Sequence, residues 1–192
     1  MRVISGSARA TTLYAVKGIQ TRPTSDFIKE NLFNIIRDDL RDAAFLDLFA
    51  GTGAIGIEAL SRGVKQVVFV DISRKCVEVI GRNLDKTRLA DRAVVIKDDA
   101  LKAIKKLADR NNVFDIIYMD PPYFEDLLLN VMEYVVAHRI LAKDGYIVVE
   151  MSKQYNAPEV HGLNIFKAKE YSGTRLVFYE RTYNSEFTEE TK

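Results

Sequence analysis

Ten consecutive residues limit the fold of this chain more than any others. Asp47-Leu48-Phe49-Ala50-Gly51-Thr52-Gly53-Ala54-Ile55-Gly56 places Gly-x-Gly-x-x-Gly directly after the short apolar run Ala44–Phe49 and directly before the helix-like Ala54–Ser61. Glycines in such a strand–loop–helix junction let the backbone turn tightly and approach a ligand that a Cβ would block. Asp71 follows Gly51 by 20 residues, at the end of the next β-rich run, Gln66–Val70. That spacing suits a carboxylate that accepts hydrogen bonds from ribose hydroxyls. The junction therefore points to a nucleoside-binding α/β sheet.

The rest of the chain agrees. Helix-like segments at 73–87, 100–109 and 125–139 alternate with apolar runs at Ala93–Ile96, Phe114–Met119 and Tyr146–Glu150. Near-continuous apolar strands separated by helices imply a mostly parallel, doubly wound sheet covered on both faces. The pattern then changes. Leu163–Lys169 and Leu176–Glu180 flank Tyr171-Ser172-Gly173-Thr174 and read as an antiparallel hairpin at one sheet edge. Before the sheet, Thr24 or Ser25 can N-cap a helix whose buried face carries Ile28, Leu32, Ile35, Ile36 and Leu40.

The bound nucleoside is constrained by charge. No Gly-Lys-Ser/Thr follows the glycines, which excludes a P-loop. Asp47, four residues before Gly51, would repel a pyrophosphate and attract an ammonium, so S-adenosylmethionine fits better than NAD. In the pair Asp98-Asp99, one carboxylate is suited to the adenine amine. A second constellation, Asp120-Pro121-Pro122-Tyr123, ends the strand Phe114–Met119. Its prolines stiffen an exposed turn. Asp120 and the Pro121 carbonyl can accept from one NH2 group, and Tyr123 can stack on a planar ring. Such a turn holds an aromatic amine against an electrophile.

Together these motifs resemble the class I S-adenosylmethionine-dependent methyltransferases of exocyclic amines. Ser5-Gly6, Arg22-Pro23-Thr24-Ser25-Asp26, Leu32-Phe33-Asn34, Leu46 to Gly53 and Gly56-Ile57-Glu58-Ala59-Leu60-Ser61-Arg62-Gly63 further resemble the bacterial RsmD-type 16S rRNA guanine-N2 methyltransferases, from residue 2 to about residue 180. The resemblance implies a Rossmann-like class I methyltransferase domain over 21–182 and methylation of a guanine N2 in 16S rRNA, within the 30S subunit or an assembly intermediate. It assigns Arg22, Thr24, Asp47, Phe49, Gly51, Gly53, Gly56, Asp71, Ile72, Asp99, Ala100 and Asp120 to the cofactor, with Arg22 to Thr24 closing over it. It assigns Asp120, Pro121 and Tyr123 to catalysis, and Pro122 and Tyr123 to the base; Tyr171-Ser172-Gly173 would join the base pocket. A cytoplasmic monomer without a metal goes with that assignment.

Charge and composition bound the remainder. With 28 basic and 27 acidic residues the chain is nearly neutral, but residues 1–25 hold Arg2, Arg9, Lys17 and Arg22 and no acid. Residues 1–20 thus read as a basic arm or hairpin, with Arg2, Arg9 and Lys17 for RNA phosphates. Such an arm would be removable without loss of cofactor binding. Residues 183–192 read as an acidic tail. The single cysteine, Cys76, offers no internal disulfide and has no histidine at catalytic spacing; His138 and His161 form no metal cluster. No run approaches the roughly 20 apolar residues of a membrane helix. Two rival activities remain. One is a DNA adenine-N6 methyltransferase, for which 192 residues leave no separate target-recognition region; the other is an RNA-binding assembly factor with little catalysis.

Overall fold

A computed structural model describes residues 1–16, 25–122 and 125–182. Lys17, Arg22, Thr24, Tyr123 and the acidic tail lie outside those residues.

Seven strands form one sheet: β1 (Ala44–Leu48), β2 (Gln66–Asp71), β3 (Ala93–Lys97), β4 (Phe114–Met119), β5 (Leu141–Ser152), β6 (Leu163–Glu170) and β7 (Thr174–Arg181). Their order is β3-β2-β1-β4-β5-β7-β6. The first five run parallel, and β7 and β6 add antiparallel beyond β5. Five helices accompany them among the described residues: α1 (Asp26–Ile35), α2 (Ala54–Ser61), α3 (Arg74–Thr87), α4 (Ala100–Ala108) and α5 (Glu125–Ala137).

Strand side chains alternate between two cores because successive Cβ atoms point to opposite faces. Phe45, Val67, Phe69, Ile116, Tyr118, Val148 and Phe178 pack under α1, α2 and α3. Leu46, Leu48, Val68, Val70, Ile117, Met119, Ile147 and Val149 pack under α4 and α5. Both faces are covered, as the unbroken apolar strands require. Among the described residues, no helix is long and apolar enough to cross a membrane.

Two elements differ from the sequence expectation. β5 starts at Leu141 rather than Tyr146. Lys143 and Asp144 are tolerated within it because the β4–β5 register shifts between Phe114 and Ile116. A Cβ on Gly145 would lie 2.8 Å from the Asp115 carbonyl, so glycine permits that close pairing. The first helix ends at Ile35 and passes into a 3-10 turn, Arg37–Asp39, while Leu40 stays buried at the end of the apolar series. Ser25 is the N-cap, its hydroxyl accepting from the Ile28 N–H at 3.2 Å.

Residues 1–16 are not a free arm. Val3, Ala8 and Leu13 are buried in the core beneath α2, and one antiparallel bridge, Arg2 to Thr12, joins the two limbs. The Ser61 hydroxyl donates to the Ser5 carbonyl at 2.6 Å and accepts from the Ala8 N–H at 2.9 Å. Gly6 has φ 85°, and a Cβ there would sit 1.8 Å from the Ser61 carbonyl. Removing this segment would open the core, so it cannot be deleted as an independent RNA-binding appendage. Arg2 is also less isolated in charge than the sequence implies, because its Nε lies 3.6 Å from Asp26 Oδ2.

Candidate active site

In an open parallel sheet, ligands bind outside the carboxyl ends of the strands where the winding reverses. Here that reversal falls between β1 and β4, which are neighbours. The glycine loop leaves β1 and the Asp120 turn leaves β4, so the topology brings the two constellations to one crevice.

The loop is shaped by left-handed backbone. Phe49, Gly51 and Gly53 have φ of 63°, 55° and 75°. At Phe49 this conformation costs about 1–2 kcal/mol relative to glycine. The Ala50 N–H holds it to the Val70 carbonyl at 3.0 Å, and the Gly53 N–H returns to the Ala50 carbonyl at 2.7 Å. The three glycines have different tasks. Among the described residues, a Cβ on Gly51 would meet only the Phe49 carbonyl, at 4.0 Å, which leaves room over it for a ligand. Gly53 is the left-handed N-cap of α2. Gly56 is buried, and a Cβ there would lie 2.3 Å from the Phe69 ring; its role is helix–sheet packing.

Asp71 links loop and strand. Its Oδ2 accepts from the Gly51 N–H and its Oδ1 from the Ser73 N–H, each at 2.8 Å. Ile72 beside it is 70% exposed, a large apolar side chain at the rim. Next along the edge, the Asp98 N–H donates to the Asp71 carbonyl at 3.2 Å. Asp98 pairs with Lys106 at 2.6 Å, which holds its carboxyl below the usual range. Asp99 caps α4 through Oδ1, accepting from Leu101 and Lys102, and Ala100 is buried in the first turn.

The floor of the crevice is acidic. Asp47 is 1% exposed, and its Oδ2 accepts from the Gly56 N–H at 2.9 Å. Burial pushes its carboxyl up to about 7, with Asp71 adding to the effect. Asp47 therefore presents no open surface to the crevice and ties β1 to the first turn of α2. Asp120 is half-buried, and its carboxyl rises well above the carboxylate range through desolvation first, then the charges of Glu150 and Asp47. Glu150, buried on β5, accepts the buried Tyr118 hydroxyl from β4. Pro121 is half-buried and Pro122 exposed. At the same end of the sheet, exposed Phe27 meets Tyr171 edge-on with ring centroids 5.7 Å apart.

These carboxyls give the protein a pH signature. Below about pH 4 they are protonated folded or unfolded. As pH rises towards 7 the unfolded chain ionises first, so stability is lost. A shift from 3.8 to about 7 at Asp47 alone corresponds to about 4 kcal/mol. Asp47→Asn, which keeps an acceptor for Gly56, should flatten the fall in urea-unfolding free energy between about pH 4 and 7. An unchanged slope would show that Asp47 is not the strained carboxyl.

Several residues that organise the site carried little signal in the motifs. Glu58, fully buried in α2, accepts from the Ile4 N–H at 2.7 Å, the Ser5 N–H at 2.9 Å and Arg62 Nε at 2.8 Å. Lys29, also buried, lies 3.5 Å from Glu58 and donates to the Arg2 carbonyl. Asn83 accepts from the Tyr14 N–H at 2.7 Å and donates to the Tyr14 and Thr52 carbonyls at 3.1 and 3.0 Å. An acid in the otherwise apolar Ala-Ile-Gly-Ile-Glu-Ala-Leu was the available cue for Glu58; Asn83 offered none.

The family described as Conserved hypothetical protein 95 matches residues 1–180. YlbH of Bacillus subtilis (strain 168), named provisionally as an rRNA methyltransferase, is 40% identical over 182 residues, 94% of this chain and 99% of its own. The Ribosomal RNA small subunit methyltransferase D of Escherichia coli (strain K12) is 32% identical over 160 residues, covering 83% of this chain and 79% of its own. The solved structure of yhhF from Escherichia coli superposes with a TM-score of 0.84 at 28% identity, covering 94% of this chain and 97% of that one. SMU.776, solved in complex with SAH, shares the fold alone: TM-score 0.62, 14% identity, 77% of this chain and 48% of its own. Sequence match, strand order and the crevice between β1 and β4 agree: this chain belongs to the Conserved hypothetical protein 95 family, the RsmD family of methyltransferases.

Proposed function

We propose that this protein transfers a methyl group from S-adenosylmethionine to the exocyclic N2 of a guanine in 16S rRNA. The observation that carries the reading is the Asp120-Pro121-Pro122 turn placed across the switch point from the open glycine loop. A cytoplasmic monomer acting on the 30S subunit or an assembly intermediate completes it.

The residues present fit the cofactor. The space over Gly51 accepts a ligand, Asp71 ends β2 at ribose distance along the chain, and the crevice floor is acidic. Carboxyls whose ionisation is disfavoured by burial gain from a cationic ligand and repel a phosphate. When bound, S-adenosylmethionine supplies an electrophilic methyl on a sulfonium.

The protein's own task is the amine. The N2 lone pair of guanine is delocalised into the ring and is a poor nucleophile. Hydrogen bonds from the NH2 to Asp120 and to the Pro121 carbonyl favour a tetrahedral nitrogen and localise that pair. The Asp120 carboxylate stabilises positive charge developing on nitrogen. Its raised proton affinity, from burial beside Glu150 and Asp47, also suits it to take the proton the methylated amine must lose. The target base must leave its stack to enter such a crevice.

Two measurements test this reading. Asp71→Ala should weaken S-adenosylmethionine by about 1.5–3 kcal/mol, the range for a charged hydrogen bond, because the carboxylate both meets the ribose and fixes Gly51. Calorimetry showing full affinity in a folded variant would remove Asp71 from the site. Nucleosides of 16S rRNA from cells lacking the protein should lack one N2-methylguanosine, and an unchanged nucleoside profile would contradict the assignment.

A further inference from the structure

Beside the glycine loop lies a surface that cofactor and target base leave unused. Tyr14 is 40% exposed, yet its backbone is fixed at both ends by the Asn83 side chain. The same Asn83 amide donates to the Thr52 carbonyl, so Tyr14 is pinned beside the cofactor loop. Two cations from α3 lie against its ring: Arg82, its guanidinium carbon 4.3 Å from the centroid, and Lys86, its ammonium 4.5 Å away. Both are exposed. Neither makes an ion pair among the described residues: exposed Asp85 stands between them in α3 with no ion pair to either, and Glu78, one turn before Arg82, pairs with Arg74 at 2.8 Å.

We propose that Tyr14, Arg82 and Lys86 form an RNA-docking surface that grips the phosphate backbone next to the flipped target nucleotide. This rests on the RNA-methyltransferase reading above. Two unneutralised cations held one helical turn apart suit successive phosphates, and an exposed ring with an attached guanidinium is a platform for an unpaired base. Rigidity supports the assignment. A solvated lysine or arginine loses rotamer freedom on binding, whereas these two are already ordered on a ring whose backbone is anchored. The place also fits, because Asn83 ties Tyr14 to Thr52 in the glycine loop, and that loop leaves β1 beside β4, the strand that ends in the Asp120 turn.

The test uses the full-length protein and the double variant Arg82→Ala/Lys86→Ala. Probes are a single-stranded oligoribonucleotide for binding and 30S particles from a strain lacking the methyltransferase for turnover. RNA affinity and KM should weaken on the order of tenfold at about 0.1 M salt. The slope of log affinity against log salt should fall by about 1.4, about 0.7 for each lost single-strand phosphate contact. The kcat at saturating RNA and the calorimetric affinity for S-adenosylmethionine should stay unchanged. Tyr14→Ala should weaken RNA without moving the salt slope as far. Unchanged KM and slope in a variant of an active parent would overturn the docking surface. A parent that methylates no rRNA while the variant still loses salt slope would remove the function and keep the surface. If neither changes, both fall.

Discussion

Asp120→Asn should bind S-adenosylmethionine nearly as tightly as the parent protein and transfer methyl on the order of 10²-fold more slowly in a single turnover, comparable to losing one preorganised electrostatic contact. The substitution keeps size and one acceptor oxygen, but removes the charge and adds a donor that opposes the substrate NH2. Because the interaction is realised chiefly at the reacting nitrogen, the loss should appear in the rate and not in cofactor affinity. The buried setting supplies an internal control. Ionised Asp120 is disfavoured by desolvation, Glu150 and Asp47, so a neutral amide should leave thermal stability at pH 8 equal or higher. A slow, well-folded variant therefore reports chemistry. Near-parental turnover would reduce the Asp-Pro-Pro turn to scaffold.

Glu58→Ala should destabilise the protein by about 3–5 kcal/mol, the cost of leaving a buried charge without its partner. Its carboxylate satisfies the Ile4 and Ser5 N–H groups, Arg62 and Lys29 from a fully buried position. Without it, Lys29 faces Asp26 at 3.9 Å and the Arg2 carbonyl, in a site where burial already lowers its proton affinity. Urea titration gives the comparison, and adding Lys29→Met should recover part of the loss. A change below about 1 kcal/mol would mean that residues 1–16 are held by Val3, Ala8, Leu13 and the Ser61 and Asn83 hydrogen bonds, without need of Glu58. The same contacts predict that truncation of residues 1–16 loses cofactor binding together with RNA binding.

The sheet was legible because buried parallel strands have few alternatives: Phe114–Met119 and Ala54–Ser61 stand in the structure with the bounds that periodicity gave. Before Gly145 the pattern failed for a local reason. Lys143 and Asp144 look like loop residues, and only a register shift against β4 lets them sit in a strand. The positions of Gly51, Asp71 and Asp120 were readable from spacing, since each directly follows or ends an apolar run. Their electrostatics were not. That Asp47 lies beneath the loop at 1% exposure, and that Glu150 and Tyr118 adjoin Asp120, follow from pairing between strands far apart in sequence. The first sixteen residues misled for a related reason. Small and basic side chains read as an arm or hairpin; the Arg2–Thr12 bridge joins the two limbs as a hairpin would, while their tie to Glu58 and Ser61 is a contact across more than fifty residues.

The most direct test of the account is the chemical identity of the product. Purified protein, isotopically labelled S-adenosylmethionine and 30S particles from a strain lacking the enzyme are combined, and the rRNA is digested to nucleosides for mass spectrometry. The account predicts one labelled methyl per particle, recovered as N2-methylguanosine and lost with Asp120→Asn. Label recovered as N6-methyladenosine, or no label in the rRNA, would contradict it.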